Sequence, residues 1–373
     1  MPRFTMLAPA MLMTAALTSF STHAQDPAPT AAGPGTEASV QASANVTLAP
    51  LPDLDPAQWF DGNFGGTFGA KTVTALPKTP RVAVAGFRVI FVNQNVARAM
   101  SRASYLPGRD TGTAKSKMTV NLTGVDDATL QAITDRAYQT FLQQLAATGR
   151  EVVPAENLQT FFGAIKVAPV PYSASAGAGA HVSTEGRGFS PSGIPLWFQQ
   201  GDLYGNQGLG QTNMRAFNEL SVNAGSAITI APLIVIDFAQ MQSSGNRSSL
   251  LQKTASVGTV LAMSVPTFLT RVVRAEEVRW GGIVSKGDDG MLSMTQPLDT
   301  DVEFANLVEA TPEESTGSKL GSALLSLSGI NSKKSVMEAQ TSNEAYRLAA
   351  EAVLSQTTGT FAKLFAQHPV GGT

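Results

Sequence analysis

Apolar residues in this chain gather into a few short runs separated by Gly-, Ser- and Ala-rich stretches, and the spacing within each run decides which element it predicts. The run over 81–93, RVAVAGFRVIFVN, is β-branched and aromatic, follows Pro77 and Pro80, and shows little polar alternation. That is the pattern of a strand buried on both faces. The run over 227–238, AITIAPLIVIDF, is the most apolar strand candidate, and its Pro232 marks a bulge or an edge. Residues 257–273 are uncharged until Arg271 but carry Gly258, Pro266 and several hydroxyl side chains. They predict two short strands or one bent strand, and fall short of a membrane span.

Two stretches carry the helical period instead. Over 126–148, Leu130, Ile133, Ala137, Phe141, Leu142 and Leu145 recur on one face, Asp126 or Asp127 stands at the N-cap, and Gly149 occupies the place of a left-handed C-terminal cap. The last helix is predicted over 342–367, with Ser342 or Asn343 as its cap, Glu344 at the positive end of its dipole, and Leu348, Ala352, Phe361, Leu364 and Phe365 inward. It is expected to close the side of the sheet opposite the first helix. Between them, 150–153 reads as a short strand and 155–162 as a short helix. Strand, helix, strand, helix in this order predicts an α/β (α+β) fold: a central mixed sheet with helices packed on it. The stretch 167–225, with Pro169, Pro171 and many Gly, Ser and Ala residues, predicts a long loop insertion into that single domain of 59–367.

Composition narrows the compartment. The 373 residues contain no cysteine, which excludes disulfides, thiol catalysis, Cys-ligated zinc and a lipidated N-terminal Cys. Residues 1–24 carry Arg3, an apolar run over 7–17 and Thr22-His23-Ala24 before Gln25, the three parts of a secretory signal peptide. Residues 25–58 are mostly Ala, Pro, Ser, Thr and Gly and predict a flexible linker. A periplasmic protein with no transmembrane helix in its mature chain is expected. With 26 basic and 28 acidic side chains, no global field favours nucleic acid.

Candidate contact residues fall in three places. The arm 59–69 mixes Trp59, Phe60, Phe64 and Phe68 with glycines, and either docks on a partner or folds back over its own sheet. The stretch 94–117 carries Arg98, Arg102, Arg109, Lys115 and Lys117 against Asp110 alone, with Lys71, Lys78, Arg81 and Arg88 upstream. Such a run contacts an anionic envelope component or an acidic neighbour, or is a solvated face. Trp197, within 194–198, is either tucked onto the core or a subunit contact. Asp299, Asp301 and Glu303 alternate, which on a strand sets three carboxylates on one face where a hard cation such as Ca²⁺ could bind; a solvated strand face is the plainer reading.

Catalytic chemistry is thinly represented. His181 and His368 stand far apart, no Gly-x-Ser-x-Gly elbow occurs, and 205–210 has neither the dinucleotide fingerprint nor a Walker lysine. No cofactor is implied. Asp237, at the end of the 227–238 run, stands where catalytic carboxylates often sit, or is a capping or surface Asp.

The order Arg81-Val-Ala-Val-Ala-Gly-Phe, a helix opening at Asp126, then Gly149-Arg-Glu-Val-Val-Pro-Ala-Glu-Asn-Leu resembles the curli-secretion (CsgG-like) family of outer-membrane assembly proteins. The N-terminal domain of TolB-like proteins has a similar arrangement. Thr341-Ser342-Asn343-Glu344 looks like the start of the corresponding final helix in the curli-secretion family. The resemblance implies a periplasmic or outer-membrane-associated α/β domain that assembles with envelope proteins or with itself, and it does not imply catalysis. The alternative is a soluble periplasmic ligand-binding protein or hydrolase that uses 167–225 as a lid over Asp237.

Overall fold

The apolar run at 81–93 does not form one strand. In the computed structural model, which describes residues 54–62, 79–101, 113–169, 172–176, 182–199, 202, 210–246, 254–279, 281–310 and 330–370, it splits into β2 (Arg81–Val84) and β3 (Arg88–Ser101). The run at 227–238 splits in the same way, into β8 (Ile228–Ile230) and β9 (Leu233–Asn246). The breaks lie side by side: Val84 pairs in parallel with Ile230, and after them Arg88 pairs with Leu233. Pro232, which has no N–H to offer a ladder, sits in one break and Gly86 in the other. A Cβ on Gly86 would stand 2.8 Å from the Trp197 indole nitrogen, so only glycine lets that ring approach.

These two paths run through the middle of a mixed 14-stranded sheet. β10 (Thr254–Arg279) is antiparallel to both β8 and β9, with register shifts around Ser264, so the 257–273 run lies on one long, irregular strand. β11 (Ile283–Met294) and β12 (Leu298–Thr300) pair with β10, β1 (Phe60–Gly62) pairs with β11, and β5 (Glu151–Val152) lies beside β2. β4 (Thr113–Thr123) returns antiparallel to β3, β14 (Ile330–Thr341) lies parallel to β4, and β13 (Ala305–Glu309) forms the edge beside β14. A hairpin of β6 (Tyr172–Ala176) and β7 (Val182–Phe189) pairs with the other side of β3.

Alternation in the central strands feeds two cores. Val82, Val84, Ile228 and Ile230 face one cluster, where α2 (Asp127–Ala146) and α5 (Asn343–Gln367) bury Phe141, Phe361 and Phe365. Ala83, Ala85, Ala227 and Ala231 face the other, under Phe161 of α3 (Gln159–Ala164) and Phe217 of α4 (Gly210–Asn223), with Trp197. The expectation that the last helix closes the opposite side is corrected. α5 lies beside α2, with Gln144 donating to the Ser355 carbonyl and Phe141 6.0 Å from Phe361. The reason lies in the strands before them: β4 and β14 are parallel neighbours, so the helices that follow start together. Asp126 caps α2 by accepting from Thr129 N, and its second carboxylate oxygen accepts from Asn343 Nδ2 at 2.8 Å. Ser342 caps α5, and Gly149 has φ +80° as the C-terminal cap requires.

Residues 167–225 also differ from the loop expected of them. They contain β6, β7 and α4, whose Asn213 donates to the Lys166 and Phe198 carbonyls and whose Ser221 donates to Ala227. α4 covers the second face of the sheet.

Candidate functional site

Three stations along β3 carry the polar chemistry of the described residues. The first is Arg88, where the strand breaks. The backbone interruption at Ala231 and Pro232 frees two carbonyls from the ladder, and Arg88 donates to both. Its guanidinium also forms an ion pair with Asp202 in which both side chains are fully buried, and lies 5.2 Å from the Trp197 ring centroid. A buried charge needs this complement, because an unpaired one is strongly destabilising. Arg88 therefore does not belong to a solvated basic face, and Trp197 is a core residue whose indole donates to the Ala85 carbonyl.

The second station is a fork. β3 pairs with β9 through Phe91 and Ile236, after which β3 turns to β4 and β9 continues with β10 alone. Asn95 spans the split, donating to Asp237 Oδ1 at 2.7 Å and the Ala239 carbonyl at 3.4 Å. Asp237 also accepts from the Ala239 amide. Burial pushes the Asp237 carboxyl above the usual carboxylate range, opposed by those hydrogen bonds. Beside it, burial and then the Asp237 charge push the phenol of the buried Tyr346 far up, and its hydroxyl has no hydrogen-bond partner among the described residues. Asp237 is thus neither a strand-end nor a surface residue: β9 runs nine residues past it, to Asn246.

Beyond the fork, the strands of both hairpins bury some side chains, among them Val96, Ala97, Ala99 and Val120, and expose others. In β9 and β10, Gln240, Gly258 and Val260 are exposed, Val260 to 56%. In β3 and β4 the third station appears. Arg98 pairs in register with Lys117, and Lys117 with Lys334 of β14. Paired residues on adjacent strands share a face, so three cations form one cross-strand row, with Lys115 two residues along the same face. All four are exposed. Like charges opposite one another weaken a sheet, and two unit charges ~5 Å apart repel by about 1 kcal/mol in bulk water. Among the described residues no ion pair involves Lys115, Lys117 or Lys334. Elsewhere on the sheet, Glu276, Asp288 and Asp289 pair with Arg271, Arg274 and Lys286 in the β10–β11 hairpin.

The other expected positions are scattered. Phe60 is buried, edge-on to Phe268 and Phe361, and Trp59 is half-buried with its carbonyl bound by Thr295, so this part of the aromatic arm lies on its own sheet. Phe64, Phe68, Arg102 and Arg109 lie outside the described residues. Asp299 is in β12 and accepts from Gln240, but the strand ends at Thr300, so Asp301 and Glu303 do not continue its alternation. Among the described residues, no group of three or more His, Asp or Glu side chains gathers as a metal site.

What the sequence reading missed was Arg88 as a core hub, the fork, and Lys334 as a member of the basic row. A charged residue inside a run as apolar as Phe87-Arg88-Val89 is itself the signal of a buried, paired cation. The alternation Met118, Val120, Leu122 against Lys117, Thr119, Asn121 is the signal of β4. Nothing in the chain order ties Lys334 to Lys117.

No helix among the described residues is long and apolar enough to cross a membrane, which leaves membrane crossing by strands untouched. Compared with known proteins, the chain matches no family model, no curated protein and no solved structure.

Proposed function

We propose that this chain is a non-catalytic protein of the periplasm, associated with the outer membrane, which works in envelope assembly or secretion through contacts with other envelope proteins or with copies of itself. The observation that carries this reading is the pair of hairpins, β3–β4 and β9–β10, which part at the fork and, while burying Val96, Ala97 and Ala99, expose Arg98, Lys115, Lys117, Gly258 and Val260. An exposed strand face of this kind is a surface for another molecule. The resemblance of Arg81-Val-Ala-Val-Ala-Gly-Phe and the Asp126 helix start to the curli-secretion family points the same way, as does the signal-like leader.

The test is native mass measurement of the full chain together with membrane fractionation and capture from an envelope extract. Oligomers, or co-isolation with outer-membrane proteins, are expected. A homogeneous, wholly soluble monomer that captures no envelope protein would overturn the reading.

Asp237 supports the rival, a periplasmic ligand-binding protein or hydrolase, because its carboxyl is buried and shifted upward. Its hydrogen bonds, however, run to Asn95 and Ala239, which hold the fork together. If Asp237→Asn abolishes binding or turnover of a small ligand while leaving assembly intact, the rival takes precedence.

A further inference from the structure

We propose that the face of the β3–β4–β14 sheet carrying Lys115, Lys117 and Lys334 binds the phosphate headgroups of an anionic glycerophospholipid bilayer. Lys117 and Lys334 stand directly opposite in register, and Lys115 is two residues from Lys117 on the same face. Side chains on one face of a sheet leave it roughly in parallel, so these ammonium groups do not converge on a single ionised group. They address a surface of spread charge. The lysine ammonium is a compact point charge that needs no fixed bidentate geometry, which suits headgroups spread over a plane. Described acids on that face include Glu338 beside Asn121 and Glu185 beside Gln94, both two rows away from Lys117, and Glu338 accepts from Gln340. Met118 and Val120 of β4 turn into the core that α2 and α5 cover, so by alternation Lys115 and Lys117 stand on the opposite face, away from those helices.

This inference goes beyond the assembly reading and fails separately from it. The experiment is co-sedimentation of the full chain with vesicles of phosphatidylcholine alone and of phosphatidylcholine mixed with phosphatidylglycerol. Binding to the mixed vesicles only is expected, lost as salt rises, since the screening length shrinks from about 8 Å at physiological ionic strength to 3 Å at 1 M. Juxtamembrane lysines contribute about fivefold each, so the triple variant K115Q/K117Q/K334Q is expected to bind roughly 100-fold more weakly with an unchanged or higher melting temperature. Lys166→Gln, an exposed lysine elsewhere, is expected to bind like the parent. Equal binding to neutral vesicles, an unaffected triple variant, an equal loss from Lys166→Gln, or binding to poly-glutamate without binding to vesicles would each overturn the proposal. A chain that captures envelope proteins but ignores vesicles sinks this inference alone. One that binds vesicles as a monomer without partners sinks only the assembly reading.

Discussion

Arg88 and Arg98 sit ten residues apart on one strand, an even spacing in a period of two, and meet opposite surroundings. Arg88 is sealed among Asp202, the Ala231 and Pro232 carbonyls and two aromatic rings; Arg98 is exposed opposite Lys117. Between them lies the Asn95–Asp237 bridge, where β3 parts from β9. The difference teaches that residue type sets only what a position needs. Inside the core a cation needs a complete set of acceptors, and the fold supplies one. Past the fork the need is weaker, because these cations are exposed, and the sheet tolerates three like charges in one cross-strand row.

The largest expected effect breaks the inner half of that contrast. Arg88→Met leaves the Asp202 carboxylate buried without its cation, and urea unfolding is expected to show a loss of about 3–5 kcal/mol. Replacing both partners, R88M/D202L, is expected to restore part of it. A double variant no more stable than R88M would show that the cost lies in packing and not in stranded charge.

Arg150 offers a second buried cation by which to sharpen the contrast. It donates to the Thr79 carbonyl at 3.2 Å and, at the C-terminal end of α5, to the Phe365 carbonyl at 2.6 Å, and it lies over the Phe365 ring. Arg150→Met is expected to cost about 2–3 kcal/mol, since hydrogen bonds from charged donors are worth more than neutral ones. A loss below about 1 kcal/mol would mean that these contacts are worth no more than neutral hydrogen bonds.

At the fork the effect takes the form of a pH dependence. Burial raises the Asp237 pKa in the folded chain above its unfolded value, so the native state favours the protonated carboxyl. That contribution is full below the ordinary carboxylate range and is lost as pH rises through the raised pKa. Asp237→Asn is expected to remove this slope, leaving the variant at least as stable as the parent at neutral pH. A parent whose unfolding free energy shows no such decline would return Asp237 to the solvated class.

Smaller still is Tyr346→Phe, which deletes a buried hydroxyl without a partner and is expected to change stability by less than about 0.5 kcal/mol, or to raise it. Smallest is Lys117→Gln, which relieves repulsion in the exposed row. Its melting temperature is expected to rise slightly at low salt and to match the parent at high salt.

Much of the scaffold was legible in the chain. The double-sided burial of Val82–Val84 and Ile228–Ile230, the Asp126 cap, the Gly149 turn and the Ser342 cap all follow from local rules, because they depend on nearest neighbours and on a period of two or 3.6 residues. The candidate site was legible only in fragments. Arg98, Lys115 and Lys117 stood out as a basic run, yet their partner Lys334 lies more than 200 residues later.

By itself, then, the sequence determined which of the long apolar runs must be buried, where the two long helices begin and end, and that no cysteine chemistry operates. Tertiary structure alone decided that the two apolar runs break side by side, that α5 lies beside α2 while α4 covers the far face, and which cations are sealed and which are left outside. The reason is physical: burial and periodicity are properties of a segment, whereas register between distant strands fixes which charges become neighbours, and no single segment carries that information.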